Sequence, residues 1–317
     1  MSDVIALLDT PYFIIGVRLG LLGLALGWGL RLATGRTKPP LPVAGLLIGV
    51  AMVVTLVLVD DSVVSELPGL ALIVLASGVA SILKAPLWVH PLVVAPGAIW
   101  VALATPVTEL FWARLLMILV ITVGGFLITD FERRHAGLGL GVIFYALAVF
   151  GVFAAVPDTE WAVAMVAVTI PIAFLAWPRV AASLGTEGAY LAVAVFMWVI
   201  VQGGAARPPS IVGSAACLGL LVLEPLVIAL RPSAVALTTW VNRNALGAVV
   251  ASLPQVFVMV LSSRVAARFT SHLPTVVVIV VVYVIVLIAG LRAGPRELRV
   301  DEDEDDPEQD LFDIGTT

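Results

Sequence analysis

Few side chains in this chain can do chemistry, and most of them fall in short stretches. The densest is Asp130-Phe131-Glu132-Arg133-Arg134-His135. Adjacent guanidinium groups grip a phosphate bidentately and need no metal to do so. They also serve plain topology, as basic residues that hold a segment inside a cell. A second stretch, Gly185-Thr186-Glu187-Gly188, sets one carboxylate in a glycine frame that opens an apolar run. Lys38 adds a cation just before Pro39 and Pro40. Glu224 stands alone within the apolar stretch from Leu220 to Leu226, followed directly by Pro225. A carboxylate at membrane depth is costly, so it faces a polar interior, meets a cation or stays protonated. Glu224 is therefore a candidate proton or cation site, a candidate wall of a headgroup pocket, or a packed and paired structural residue.

Absences narrow the chemistry. The segment from Leu67 to Thr108 contains neither Asp nor Glu. His90, His135 and His272 have no zinc-ligand spacing. Cys217 is the only cysteine, which excludes a disulfide within the chain and reads as a small buried apolar side chain. Magnesium asks for several carboxylate or phosphate oxygens in octahedral array. Asp130 beside Arg133 and Arg134 is a poor start on that, so Asp130 is a candidate catalytic residue but no metal-ligand set is assigned.

The elements that must position these residues follow from composition. Of 317 residues, 61% are hydrophobic and only 12% charged, against about 25% charged in a soluble domain; mean hydropathy is +1.12. The solvent of such a chain is lipid. Eleven apolar stretches are long enough to predict spans: 12–33, 41–59, 67–83, 87–105, 111–129, 136–156, 161–178, 187–204, 211–230, 244–262 and 273–291. The expected fold is therefore an all-α integral membrane protein with about 11 transmembrane helices. Twelve Lys and Arg residues fall on the side of the first inter-span loop and three on the other. That bias predicts an outside N-terminus and a cytoplasmic C-terminus, in a multi-pass protein of the cytoplasmic membrane. The N-terminus has no basic region before its first apolar run, so no cleavable signal peptide is expected. Residues 1–295 form one helical membrane domain on this reading. Residues 296–317 form an acidic tail; its nine carboxylates between Asp301 and Asp313 change the net charge of the remainder from −5 to +4. A run of like charges repels itself and is expected to be disordered.

The basic segment Lys38-Pro39-Pro40-Leu41-Pro42-Val43-Ala44-Gly45, the run ending in Asp130 and the Gly185–Gly188 frame occur in an order and sidedness that resemble a known family. They are similar to the polyprenyl-phosphate N-acetylhexosamine-1-phosphate transferases, which include the phospho-N-acetylmuramoyl-pentapeptide translocases. The resemblance covers roughly residues 12–231. It departs from the family in its acids. Where the family has an Asp-Asp pair after the third span, this chain reads Ala76 to Lys84 with no acid; a second Asp position falls on Arg133; an Asp in the glycine frame is Thr186; and the loop 231–244 has no His. The resemblance implies a phospho-sugar transferase-like scaffold of envelope polysaccharide synthesis that has lost most of its magnesium-binding acids. A catalytically impaired relative would still bind a lipid phosphate or a nucleotide sugar, with Lys38, Asp130, Arg133, Arg134, Glu187 and Glu224 lining the site. Its partners would be the bilayer, polyprenyl phosphate, and a second copy of the chain or a partner transferase; no nucleic acid is expected. Two alternatives stay open. One is an active transferase whose magnesium site has moved onto Asp130, Glu132 and Glu187. The other is a transporter or flippase built on Glu224 and the proline-broken helices.

Overall fold

The first helix shows which solvent this chain is built for. In the computed structural model, α1 (Pro11–Ala33) begins where the Thr10 hydroxyl accepts the Phe13 N–H at 3.4 Å, with proline in its first turn. It buries Tyr12, Gly16, Gly20, Gly23 and Gly27, and exposes Leu21, Leu22, Leu26, Leu30 and Leu32. A helix in water does the reverse, placing leucines inside and polar residues outside. Glycine in and leucine out is the pattern of a helix whose outer face meets hydrocarbon and whose inner face lets another backbone come close.

The structure describes residues 8–35, 40–60, 64–106, 111–135, 139–155, 160–176, 180–204 and 208–218, with single positions at 274, 277, 281, 284, 285 and 288. After α1 come α2 (Ala44–Val59), α3 (Leu67–Ile82), a 3-10 turn (Leu87–Val89) leading into α4 (His90–Ala104), and α5 (Phe111–Leu119). A π turn (Val120–Gly124) joins α5 to α6 (Gly125–His135) without a break. Then follow α7 (Leu140–Ala155), α8 (Glu160–Ala173), α9 (Thr186–Gly204) and α10 (Pro208–Ala215). Among the described residues the protein is a helical bundle, and four helical stretches are long and apolar enough to cross a membrane: Pro11–Ala33, Leu87–Ala104, Phe111–Arg133 and Thr186–Gly203. Four shorter apolar helices, Ala44–Val59, Leu67–Ile82, Leu140–Phe153 and Glu160–Ala173, accompany them.

The central element is α9. Every residue from Gly188 to Val201 is buried, and the helix touches α2, α3, α4, α5, α6, α8 and α10. A helix apolar on all sides is stable only when enclosed in this way. Close approach is arranged by glycine. Side chains at Gly16 and Gly20 would collide with Ala167 and with the α8 backbone, and one at Gly45 would collide with Gly188 of α9. Pro171 lies inside α8 and has no N–H to offer the carbonyl four residues back. That carbonyl, on Ala167, lies against Gly20.

Several predicted boundaries move. The predicted span 41–59 starts as a helix only at Ala44, because residues 40–43 run alongside 181–183 instead. The predicted span 161–178 is helical to Ala173 and then turns. The predicted span 111–129 continues to His135, since no Gly or Pro interrupts it after Gly125. Asp130, Glu132 and Arg133 thus sit on a helix end and not in a loop. The six helical positions between 274 and 288 fall inside the last predicted span, with Val277, Val281, Val284, Ile285 and Ile288 exposed on a helical spacing. The predicted span 244–262 and the acidic tail lie outside the described residues.

Candidate functional site

One end of the bundle gathers the chemistry. The chain reverses there between α1 and α2, between α3 and α4, between α6 and α7, and between α8 and α9. These reversals carry the stretches singled out in the sequence, and the structure ties two of them together directly. Leu41 donates to the Ala181 carbonyl at 3.1 Å, and Ser183 donates back to Leu41 at 2.8 Å. Ala44 and Gly45, the first residues of α2, donate to the carbonyls of Ser183 and Leu184 at 2.9 and 3.2 Å. The first N–H groups of a helix have no partner within it. Here a second segment supplies carbonyls where Val43 offers no side-chain cap. Arg31, in the last turn of α1, reaches the Ala181 carbonyl at 3.5 Å.

Glycine is required at this junction. Gly185 has φ +76° and packs on the Pro42 carbonyl, so a side chain there would be strained and would also collide. Gly188 rests on Gly45 and the Leu46 N–H. The proline segment and the glycine frame, far apart in sequence, are thus two halves of one junction.

Glu132 closes it from a third element. Its side chain is 4% exposed, and its Oε1 accepts the Leu184 N–H at 3.1 Å. Its Oε2 fills the space that a side chain on Gly141 would need. In the sequence Glu132 stands out only as a ligand of a relocated magnesium site. The available signal was spacing: Gly125, Ile128 and Glu132 share one face of α6, and Ile128 is fully buried.

Four of the six predicted substrate-binding residues can be placed. Arg133 is exposed near the end of α6, and Asp130 lies one turn earlier on the same helix, half-buried. Arg134 continues that helix, its side chain lying outside the described residues. Glu187 is half-buried in the first turn of α9, where a negative charge suits the N-terminal end of the helix dipole. Lys38 and Glu224 lie outside the described residues. The helices that carry Arg133 and Glu187, α6 and α9, both pack against α4, which His90 opens, and α6 also packs against the Leu87–Val89 turn before it. His90 is 3% exposed and stacks on Tyr190 with ring centres 6.3 Å apart and planes 8° from parallel. Neither His90 nor Tyr190 was singled out for this site in the sequence.

Magnesium does not fit the acids in place. Among the described residues no group of three or more His, Cys, Asp and Glu side chains is arranged to hold a metal ion. The relocated site on Asp130, Glu132 and Glu187 is not assembled. Glu132 is two residues from Asp130, toward the opposite side of the helix, and it is engaged with Leu184. What this end of the bundle offers instead is an exposed guanidinium with a carboxylate and a buried polar pair close by. No family model, curated protein or solved structure gives a significant match to the chain.

Proposed function

We propose that this chain is a multi-pass protein of the cytoplasmic membrane that holds a phosphate-headed lipid on Arg133 and Arg134, without a metal ion. The lipid class is polyprenyl phosphate or its sugar-linked form, and the setting is envelope polysaccharide assembly. On this reading the scaffold is a phospho-sugar transferase relative that has lost its catalytic acids and retains binding. The observation that carries the proposal is convergence. Segments 40–45, 130–134 and 180–188, far apart in sequence and each carrying part of the family resemblance, meet at one end of the bundle. The guanidinium of Arg133 is exposed there, and Arg is the side chain best suited to bidentate phosphate contact. Eleven spans, an outside N-terminus and a cytoplasmic binding face belong to the same proposal and rest on the loop-by-loop bias of Lys and Arg.

The test is retention of polyprenyl phosphate by the purified protein, with and without a chelator. The wild-type chain retains the lipid in both conditions, and the variant Arg133→Ala with Arg134→Ala does not. Retention that vanishes on chelation, or that survives loss of both arginines, defeats the proposal.

A further inference from the structure

Several buried hydroxyl groups among the described residues are satisfied within the bundle. The hydroxyls of Thr55, Thr105, Thr122 and Thr129 each donate to the carbonyl four residues back at 2.7 to 2.8 Å. The Tyr145 hydroxyl donates to the Ala192 carbonyl at 2.9 Å. Six buried side-chain atoms have no such partner among the described residues: Arg114 Nε, Glu132 Oε2, Trp198 Nε1, Gln202 Oε1, His90 Nδ1 and the Tyr190 hydroxyl, of which the last two belong to side chains that stack on one another. Tyr190 is fully buried, its ring seated on Gly125, where a Cβ would overlap it. A polar group held dry and unpaired is destabilising, and a partner supplied from outside recovers that free energy as affinity.

The surrounding charges say what the partner looks like. Arg133 calls for an anion. Glu187, one helical turn before Tyr190, repels a bare anion and calls for a hydrogen-bond donor. A hydroxyl group answers the remaining pair: it accepts from the Tyr190 phenol, and it pairs with His90 in either tautomer because it both donates and accepts. We infer that His90, Tyr190 and Glu187 form a recognition floor beneath Arg133 for a phosphate headgroup that carries its own hydroxyl groups, a polyol phosphate, in preference to a bare phosphate monoester. The inference rests on the phosphate site proposed above. It assigns the headgroup chemistry that His90, Tyr190 and Glu187 select, and it requires side-chain rotation of Tyr190 or His90 to open the floor.

Flotation of the purified full-length chain with vesicles tests it. One set contains phosphatidylinositol in phosphatidylcholine, and the other phosphatidic acid at the same mole fraction. Wild type prefers the phosphatidylinositol vesicles. Tyr190→Phe, which removes one oxygen and keeps the ring, lowers that preference about tenfold, the equivalent of one recovered hydrogen bond. It leaves the unfolding temperature of the lipid-free protein in detergent unchanged or raised, because no existing bond is broken. Arg133→Ala weakens binding to both vesicles alike. An unchanged preference in Tyr190→Phe, with Arg133→Ala still weakening both, overturns this inference alone. A fall in unfolding temperature for Tyr190→Phe also overturns it, since the hydroxyl then has a structural partner. Binding unaffected by Arg133→Ala overturns both this inference and the phosphate site beneath it.

Discussion

Glu132 sets one oxygen of a buried carboxylate on the Leu184 backbone amide and the other against Gly141. Leu184 belongs to the segment whose carbonyls cap α2, so this one side chain steadies α6, the glycine frame and the start of α2 together. Glu132→Ala leaves the Leu184 N–H buried without an acceptor, and an orphaned donor costs about 1–3 kcal/mol. The expected result is a lower unfolding temperature in detergent, with Glu132→Gln closer to wild type because its amide oxygen still accepts. Equal losses in the two variants contradict the assigned bond. Arg133 behaves differently. It is exposed, so its removal is expected to cost binding and leave folding untouched. The two residues are adjacent in sequence and differ in role because 100° of helical rotation puts one inside and the other outside.

At the scale of elements, glycine spacing governs how near the helices come. Gly20 faces the backbone carbonyls of Ala167 and Val168, whereas Gly29 on the same helix has open space around it. Gly20→Leu therefore forces α1 away from α8, and overpacking of this kind costs about 1–3 kcal/mol. Gly29→Leu is the matched control and leaves thermal unfolding in detergent unchanged. Loss of stability in both variants, or in neither, contradicts the assigned packing. This contrast also marks what was legible in the sequence. Run length and hydropathy were enough to place α1 to α9, since a stretch such as Ala44–Val59 has no other stable use in lipid. The Gly16, Gly20, Gly23 and Gly27 face shows in the sequence as a four-three-four spacing. The pairing of 40–45 with 181–184 was not legible, because backbone hydrogen bonds leave no mark in side-chain pattern. His90 and Tyr190 were hidden for a related reason: a hundred residues separate them, and each alone reads as an ordinary apolar-run residue. Glu224 and Lys38 are conspicuous as charges in the sequence and lie outside the described residues.

At the scale of the molecule, the described bundle has an apolar exterior and an end where the segments 40–45, 130–134 and 180–188 meet. The exterior carries exposed Leu, Ile, Val, Trp and Phe side chains on α1 through α5, which suits a bilayer and no aqueous surroundings. If that end of the bundle is cytoplasmic, a cysteine placed at Thr34, beside it, reacts with a membrane-impermeant maleimide only in inside-out vesicles, and one placed at Asp60, at the far end of α2, reacts only from outside. Serine at position 217 keeps the background clean. The reverse pattern inverts the proposed orientation while leaving the site intact. The measurement that bears most directly on the phosphate site is the equilibrium affinity of polyprenyl phosphate for the protein in phosphatidylcholine nanodiscs. It is compared between wild type and the Arg133→Ala, Arg134→Ala variant, in the presence of a chelator. Charge-assisted bonds of about 1.5–3 kcal/mol predict a loss of at least tenfold at unchanged thermal stability; equal affinities for the two proteins contradict a phosphate site at this end of the bundle.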